Sequence, residues 1–326
     1  MNEGYDIVEN LTTWCKGITS NLNNFILSVA LESIPVPVAS RWSQWETSVH
    51  SERHRRPKME DRHVTIHDFG VLQSSEGDAT SAQDVGLFAV FDGHGGQEVA
   101  TYAAYHFPDV WLETGGKPTK DNMVKAFELI DARLTLRCEL ERWRCGSTAV
   151  VAAVDKHRVA IGWCGDSAIL VLRNLVCERL STCHVPTDPA EAARIEAVGG
   201  CLVPIQGELR VNGVLNISRS LGDVQGRPMI ICEPDTMEFE RKNSDYGLIL
   251  ACDGVSDELS DEQFYEEIQL FCRTHPVEDA PKLSAHLCEK AKEVGSLDNL
   301  TCLFVFLRPP VDLWSLFAEP PSDDEE

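Results

Sequence analysis

The chain has 326 residues, of which 43% are hydrophobic and 25% charged, values ordinary for a globular protein of one large or two smaller domains. Lysine and arginine number 29 and aspartate and glutamate 52, so the formal net charge is −23. Nucleic acids and anionic membranes are bound mainly through basic residues, so this charge predicts no nucleic-acid partner and no membrane partner.

The targeting and cysteine patterns predict a location inside the cell. Residues 1–10 are acidic rather than basic, unlike a secretory signal peptide, and the longest apolar stretches are much shorter than a membrane span. The 12 cysteines are scattered and include no C-x-x-C pair. Free thiols in a reducing compartment are the simplest interpretation, which predicts a cytoplasmic location and leaves a nuclear one open.

Three segments follow one another along the chain. Residues 1–46 are predicted to form an N-terminal extension that is partly helical. An amphipathic stretch at 21–31 precedes the helix-breaking residues Pro35 and Pro37. This extension is also the expected binding site of any regulatory protein. Residues 47–310 are predicted to form the main domain, and residues 311–326 are predicted to form an acidic C-terminal tail.

Helices and strands are interspersed in the main domain without strict alternation. Helices are predicted at residues 97–107, 120–142, 189–198, 262–272 and 280–294, with Asp121 as a cap of the second. Strands are predicted at residues 87–91, 147–154, 159–163, 168–172, 248–252 and 302–307. Several of the strands are continuous apolar runs, which favours sheets buried on both faces and layered with helices.

Carboxylates stand beside several of these apolar strands. Asp92 and Asp253 each follow one strand, Asp298 lies just before another, and Glu60 and Asp61 form a further acidic pair. A carboxylate at the end of a buried strand is costly unless a positive group meets it. Hard divalent cations such as Mg²⁺ and Mn²⁺ bind oxygen ligands, so convergence of these five residues would create a metal site.

Four other polar residues each have a functional and a plain interpretation. Asp166 and Asp257 are further metal ligands in one interpretation, and a turn former and a helix cap in the other. Arg56 would bind phosphate with its planar fork of donors, or be a solvated surface arginine. His94, which is held between glycines, would donate a proton near neutral pH, or serve as a structural histidine or metal ligand.

Cys138 and Arg144 have the C-x₅-R spacing of cysteine-dependent phosphatases. That chemistry needs a loop whose backbone N–H groups surround the phosphate. The intervening residues 139–143 are bulky, partly acidic and without glycine, and they lie in a predicted helix. A cysteine nucleophile is therefore not expected.

Eight short motifs occur in a fixed order along the main domain, at residues 58–63, 88–96, 145–149, 164–167, 194–200, 217–223, 250–254 and 295–301. Over residues 48–308 the chain resembles the PP2C (PPM) family of metal-dependent protein serine/threonine phosphatases. Residues 59–63 and 210–213 most resemble the branch of the CaM-kinase phosphatases, which includes the nematode sex-determination phosphatase.

The resemblance implies an α+β fold, a four-layer α/β/β/α sandwich with two central antiparallel sheets flanked by helices. It implies hydrolysis of phosphoserine and phosphothreonine in phosphorylated protein substrates. The nucleophile would be a hydroxide bridging two Mn²⁺ or Mg²⁺ ions, without a covalent intermediate. The branch implies a signalling or sex-determination regulator.

The family's metal ligands carry over by motif to five residues of this sequence. Asp92 would bridge both ions. Glu60 and the Gly93 carbonyl would complete one coordination shell, and Asp253 with Asp298 the other.

Catalytic roles carry over in the same way. Asp61 would orient a metal-bound water, Arg56 would hold the phosphoryl oxygens, and His94 would be the acid for the leaving alkoxide. Asp166 and Asp257 match the positions of a weaker third ion.

The sequence departs from the family pattern around the substrate. It has His184-Val185-Pro186 where the family often has His-Lys-Pro, and Ser256 where the family often has tryptophan. These changes bear on substrate choice and leave the carboxylates intact. The alternatives are a pseudophosphatase, which uses the same fold as a binding module, and a general two-metal hydrolase of small phosphoesters.

Overall fold

The computed structural model describes residues 45–69 and 85–318. The predicted helix at 21–31, nearly all of the predicted extension and the last residues of the predicted tail lie outside this part of the chain. Among the described residues, no helix combines the length and the apolar composition needed to cross a bilayer.

Strands and helices are numbered in chain order over the described residues. The strands are β1 (Glu46–Glu52), β2 (Arg62–Ile66), β3 (Gly86–Phe91), β4 (Gly93–His94), β5 (Gly146–Ser147), β6 (Ala149–Val154), β7 (Arg158–Cys164), β8 (Ala168–Arg173), β9 (Val176–Arg179), β10 (Leu202–Ile205), β11 (Glu208–Val211), β12 (Leu221–Gly222), β13 (Asp235–Glu240), β14 (Asp245–Ala251) and β15 (Leu300–Phe306). The α-helices are α1 (Glu98–Glu113), α2 (Lys120–Glu141), α3 (Pro189–Ala197), α4 (Asp253–Ser256), α5 (Asp261–Thr274), α6 (Leu283–Val294) and α7 (Pro310–Phe317).

Two five-stranded antiparallel sheets form the centre of the molecule. The first sheet has the strand order β13-β7-β6-β3-β2, and the second has the order β1-β15-β14-β8-β9. Strands β12, β5 and β4 form a small sheet beside them, and β10 pairs with β11 as a separate hairpin.

Alternation along β3 explains why a continuous apolar run is needed there. Leu87, Ala89 and Phe91 pack toward the helices α1 and α2, whereas Phe88 and Val90 pack between the two sheets. Successive side chains of a strand point to opposite faces, so a strand covered on both sides must be apolar at every position. Each fully buried large side chain contributes about 1.5–3 kcal/mol.

Helices cover the outer face of each sheet. Helices α1 and α2 pack on the first sheet, and α5 and α6 pack on the second. The predicted four-layer α/β/β/α sandwich is therefore confirmed. The second predicted helix is capped by Thr119, whose hydroxyl accepts a hydrogen bond from the Asn122 N–H, rather than by Asp121.

Both predicted boundaries of the main domain need correction. The predicted tail starts at residue 311, but α7 occupies Pro310–Phe317 and buries Leu313 and Phe317 against the core. Proline is favoured in the first helical turn, so Pro310 begins a helix here. At the other end Trp45 is 1% exposed and packs in the inter-sheet core, although the sequence predicts that it belongs to the extension.

A small unit carrying the hairpin β10–β11 packs around its own cluster of Ile195, Val211 and Ile230. Glu191 on α3 joins this unit to the sandwich: its carboxylate accepts hydrogen bonds from Arg219 at 2.6 Å and from Arg194 at 2.9 Å. Burial raises the pKa of Glu191, but these arginines outweigh burial and bring the pKa to about 2.

Glu191→Gln is expected to lower the free energy of unfolding by about 2 kcal/mol at pH 7. The folded-state pKa lies below the unfolded value, so this stabilisation is present above the unfolded pKa and is lost as the pH falls toward 2. Urea unfolding at pH 7 and pH 3 measures the difference, which should shrink at pH 3. Glu196→Gln, on the exposed side of α3, is the matched control. An equal loss at both pH values would contradict the assignment.

Candidate functional site

Strand register brings the predicted carboxylates to one end of the sandwich. Residue Arg62 at the start of β2 pairs with Phe91 at the end of β3, which places Asp61 next to Asp92. Similarly Ala251 at the end of β14 pairs with Cys302 near the start of β15, so the segments before β15 and after β14 meet at the same edge.

The residues at this edge line a cleft of about 520 Å³. Its lining includes nine predicted site residues: Arg56, Glu60, Asp92, Gly93, His94, Asp166, Asp253, Asp257 and Asp298. The structure thus brings together every sequence-predicted site residue except Asp61, which lies behind the cleft and is 2% exposed.

Asp92 and Asp253 lie side by side, with ligand atoms within 4.8 Å of each other and of the Cys252 sulfur. The Cys252 thiol is committed elsewhere: it donates to the Asn299 carbonyl at 3.4 Å and accepts from the Thr301 N–H at 3.1 Å. Burial also raises its pKa well above the usual range, so it stays a neutral thiol. The available ligands are therefore oxygens, as Mg²⁺ and Mn²⁺ require.

Burial and mutual repulsion raise the pKa values of the cleft carboxylates. Burial and the charge of Asp253 raise the pKa of Asp92 well above its ordinary value. The same causes raise the pKa of Asp166 to about 7 and that of Asp257 to about 6. Carboxylates crowded together in this way are stable as anions only next to positive charge, so the set fits divalent cations.

Asp61 is held in a fixed orientation behind the cleft. Its Oδ2 accepts a hydrogen bond from the Thr301 hydroxyl at 2.7 Å, while its Oδ1 is buried without a protein partner. Burial raises the pKa of Asp61 to about 6. A buried acceptor without a protein donor fits a bound water, because a buried polar atom otherwise loses its hydrogen bond.

Gly93 allows the backbone of β4 to lie directly against the segment that carries Glu60. A Cβ atom at Gly93 would lie 2.5 Å from the Glu60 carbonyl oxygen, a distance that real Cβ atoms do not reach. Any other residue would push these two backbones apart. The glycine therefore keeps Glu60 and Asp92 on the same wall of the cleft.

His94 forms an ion pair that the sequence did not predict. Its Nε2 lies 2.6 Å from Oδ2 of Asp223, and the Ser220 hydroxyl donates to the same oxygen at 2.5 Å. Burial lowers the pKa of His94, but the Asp223 carboxylate outweighs burial and the net pKa is raised. The imidazole is therefore favoured in its protonated, proton-donating form. Asp223 is the last residue of the motif at 217–223, and its place in that motif could have indicated a functional role.

Arg56 lies at the mouth of the cleft and forms an ion pair with Asp298. Its side chain is 57% exposed, so a ligand can reach the guanidinium from solvent. The predicted phosphate-binding residue and a predicted metal ligand thus face each other. An anion bound here would meet both Arg56 and any cation held by Asp298.

Asn299 fixes the segment that carries Arg56 and Glu60. Its side-chain amide donates to the carbonyls of Arg53 at 3.0 Å and Lys58 at 2.9 Å, and its Oδ1 accepts from the Glu60 N–H at 2.8 Å. Sequence reasoning gave Asn299 no role of its own. It is a positioning residue, because it holds backbone on both sides of Arg56.

Asn299→Ala is expected to lower the free energy of unfolding by about 2–3 kcal/mol, since three partly buried hydrogen bonds lose a partner. The freed segment should lower kcat/KM about 10- to 100-fold, with a rise in KM because Arg56 is no longer fixed. Steady-state kinetics and urea unfolding measure both effects. Asn243→Ala, in an exposed turn, is the control. Wild-type KM in a correctly folded Asn299→Ala variant would contradict this role.

The C-x₅-R spacing carries no site. Cys138 lies inside α2 and is buried, and burial raises the pKa of its thiol to about 11. A thiol of this kind is a poor nucleophile.

Comparison with known proteins identifies related protein phosphatases. The family model described as "Protein phosphatase 2C" matches residues 45–300. The curated "Protein phosphatase fem-2" of Caenorhabditis elegans is 41% identical over 308 residues, covering 92% of this chain and 67% of the relative. Human "Protein phosphatase 1F" is 35% identical over 282 residues, covering 85% of this chain and 61% of the relative.

Solved structures give the same result. "Structure of a C.elegans sex determining protein" matches with a TM-score of 0.80 and 41% identity, over 86% of this chain and 69% of that one. A serine-threonine phosphatase 2C from Toxoplasma gondii matches with a TM-score of 0.68 at 21% identity, over 84% of this chain and 98% of that one, and supports the fold alone. The chain spans 67% of fem-2, 61% of human phosphatase 1F and 34% of human phosphatase 1E. The family match and the fem-2 relationship establish that the chain belongs to the protein phosphatase 2C family.

Proposed function

We propose that the chain is a protein phosphatase that hydrolyses phosphoserine and phosphothreonine esters using two bound Mn²⁺ or Mg²⁺ ions. The main support is the Asp92–Asp253 pair, whose oxygens lie within 4.8 Å at the floor of a cleft with Arg56 at its mouth. Glu60, the Gly93 carbonyl and Asp92 would hold one ion. Asp92, Asp253 and Asp298 would hold the other, with Asp92 common to both.

Ions in these positions would lower the pKa of water and offset negative charge on the phosphoryl group. The protein's own residues supply the rest of the chemistry. The Arg56 guanidinium binds the equatorial phosphoryl oxygens, and the free Oδ1 of Asp61 accepts a hydrogen bond from the attacking water. Protonated His94 donates its proton to the leaving serine or threonine oxygen, and Asp223 stabilises the imidazolium.

Asp166 and Asp257 would hold a weaker third ion. Both line the cleft beside Asp253, whose charge contributes to the raised pKa of each. Arg179 acts on Asp257 in the opposite sense, and Asp257 is more exposed to solvent than Asp92 or Asp253. A lower affinity for the third ion follows from this difference.

The two alternatives receive less support. A pseudophosphatase would have no need for an intact set of carboxylates, and here seven of them meet at one edge. A hydrolase of small phosphoesters remains consistent with the cleft, and such compounds are expected to serve as artificial substrates. Phosphorylated proteins are the proposed substrates in a cytoplasmic or nuclear setting. A signalling role is supported by the likeness to a C. elegans sex determining protein. The regulatory partner expected at residues 1–46 stays a prediction.

Phosphate release from matched phosphoserine, phosphothreonine and phosphotyrosine peptides tests the proposal. With Mn²⁺, release is expected from the serine and threonine peptides and to be at least about 10-fold slower from the tyrosine peptide, whose longer side chain places phosphorus away from the cleft floor. EDTA should abolish release. Phosphatase activity that is fully retained in EDTA would contradict the proposal, as would no release with either ion.

A further inference from the structure

The connection between β1 and β2 carries four basic residues within six positions: Arg53, Arg55, Arg56 and Lys58. We call residues 53–58 the basic ridge. All four basic side chains belong to exposed residues, in a chain whose net charge is −23. Of these four basic residues, the proposed chemistry uses only Arg56. The positive charge of the other three, at the mouth of the cleft, has no role in it.

Hydrogen bonds hold the basic ridge in one shape. Asn299 binds the carbonyl groups of Arg53 and Lys58, at the two ends of the ridge. The Arg53 guanidinium also donates to the carbonyl of Arg56. A charged surface that is already ordered loses less conformational entropy when a ligand binds.

Three of the four charges are available to a ligand. Within residues 45–69 and 85–318, Arg53, Arg55 and Lys58 form no ion pair, whereas Arg56 pairs with Asp298. The neighbouring acid, Glu52, is bound to Lys292 at 3.2 Å. Unpaired arginine and lysine on an acidic protein attract the nearest external carboxylates.

The basic ridge lies where a phosphopeptide bound at Arg56 would contact it. Lys58 and Arg56 both line the cleft. Arg210 of β11 also lines the cleft, but Arg210 is paired with Glu208 at 2.5 Å. A peptide whose phosphate reaches Arg56 therefore has Lys58 and the rest of the ridge close to the residues next to its phosphorylated side chain.

We propose that the basic ridge selects phosphopeptides with acidic residues next to the phosphoserine or phosphothreonine. This inference rests on the proposed phosphatase function and names its substrate class. The distant acidic surface does not cancel the effect, because charges beyond the Debye length of about 8 Å at physiological salt are largely screened. Each exposed charge pair changes affinity by at most about fivefold, so the two acidic residues that flank the phosphorylated one would give about a 3- to 20-fold preference, below the limit of about 25-fold.

The test uses two phosphothreonine peptides of equal length, one with glutamate and one with lysine on both sides of the phosphothreonine. The wild-type protein with Mn²⁺ is expected to show a kcat/KM about 3- to 20-fold higher for the acidic peptide at low salt. In 1 M salt, where the Debye length is about 3 Å, the ratio should fall toward one.

Two double variants separate the ridge from the overall charge. Arg55→Gln/Lys58→Gln should bring the low-salt ratio close to one, mainly through a higher KM for the acidic peptide. Lys125→Gln/Lys156→Gln removes the same charge from exposed positions on α2 and on the β6–β7 turn, and should keep the wild-type ratio.

The outcomes distinguish this inference from the proposed function. Equal rates for both peptides, or a preference that Arg55→Gln/Lys58→Gln leaves intact, would overturn the ridge alone. No Mn²⁺-dependent release from either peptide would overturn the proposed function and the ridge with it. An equal loss of preference in both double variants would attribute the effect to net charge and would also contradict the ridge.

Discussion

Asp92→Asn is expected to lower kcat at least about 10³-fold and to abolish the stabilisation of the protein by Mn²⁺. Asp92 lies against Asp253 within 4.8 Å and is the residue proposed to contact both ions, so its loss would loosen both. In wild-type protein, Mn²⁺ at 100 times its Kd should stabilise the fold by about 2.7 kcal/mol per site. Phosphate release and melting curves with and without Mn²⁺ measure the two effects.

The same variant has an effect of opposite sign without metal. Burial and neighbouring carboxylates raise the pKa of Asp92, so its charge destabilises the metal-free fold at neutral pH. Asp92→Asn in EDTA should therefore melt above the wild type. Asp121→Asn, at an exposed position in the first turn of α2, is the control and should keep both activity and the Mn²⁺ response. A metal-free Asp92→Asn protein that melts well below wild type would contradict the proposed repulsion.

The metal-free protein is expected to lose at least about 3 kcal/mol of stability between pH 5 and pH 8. Burial raises the folded-state pKa of Asp61 to about 6 and that of Asp166 to about 7. A raised carboxyl pKa means that the folded state binds more protons than the unfolded state. Stability is therefore highest below the unfolded pKa, and it falls as the pH rises through the folded pKa.

Urea unfolding in EDTA at pH 5 and pH 8, repeated with Mn²⁺, measures this dependence. Mn²⁺ should remove most of it, because bound cations favour the ionised carboxylates. The Asp166→Asn variant in EDTA should show a smaller loss than the wild type over the same range. Stability that rises from pH 5 to pH 8 without metal would show that the carboxylates are not strained by their mutual repulsion.

Much of the fold and of the central site was predictable from local sequence. The continuous apolar runs at β3, β14 and β15 required burial on both faces, which the two packed sheets provide. Antiparallel pairing then brings strand ends and strand starts together, so Asp92 and Asp253 had to lie near an edge of the sandwich. The costs of burying isolated carboxylates made their convergence chemically meaningful.

Residues whose roles depend on distant partners could not be assigned in this way. Asp223 meets His94 across 129 positions of sequence, and Asn299 meets Lys58 across 241. No local periodicity or spacing encodes such pairs. Gly146 is consistent with the contact between Asp223 and His94, since a Cβ at this position would collide with both side chains.

The predicted C-terminal boundary of the main domain was wrong for a different reason. The pair Pro309-Pro310 predicts the end of the last strand and the start of a tail, yet proline suits both a strand end and a first helical turn. The apolar spacing of Leu313 and Phe317 matches one helical face and decides for the helix. The acidic residues that follow gave the whole segment the appearance of a tail.

Anomalous diffraction from crystals grown with Mn²⁺ tests the central claim most directly. Two manganese peaks are expected in the cleft, both in contact with Asp92, one also with Glu60 and the other also with Asp253 and Asp298. Carboxylates that stay without metal at saturating Mn²⁺, or manganese bound only outside this cleft, would contradict the account.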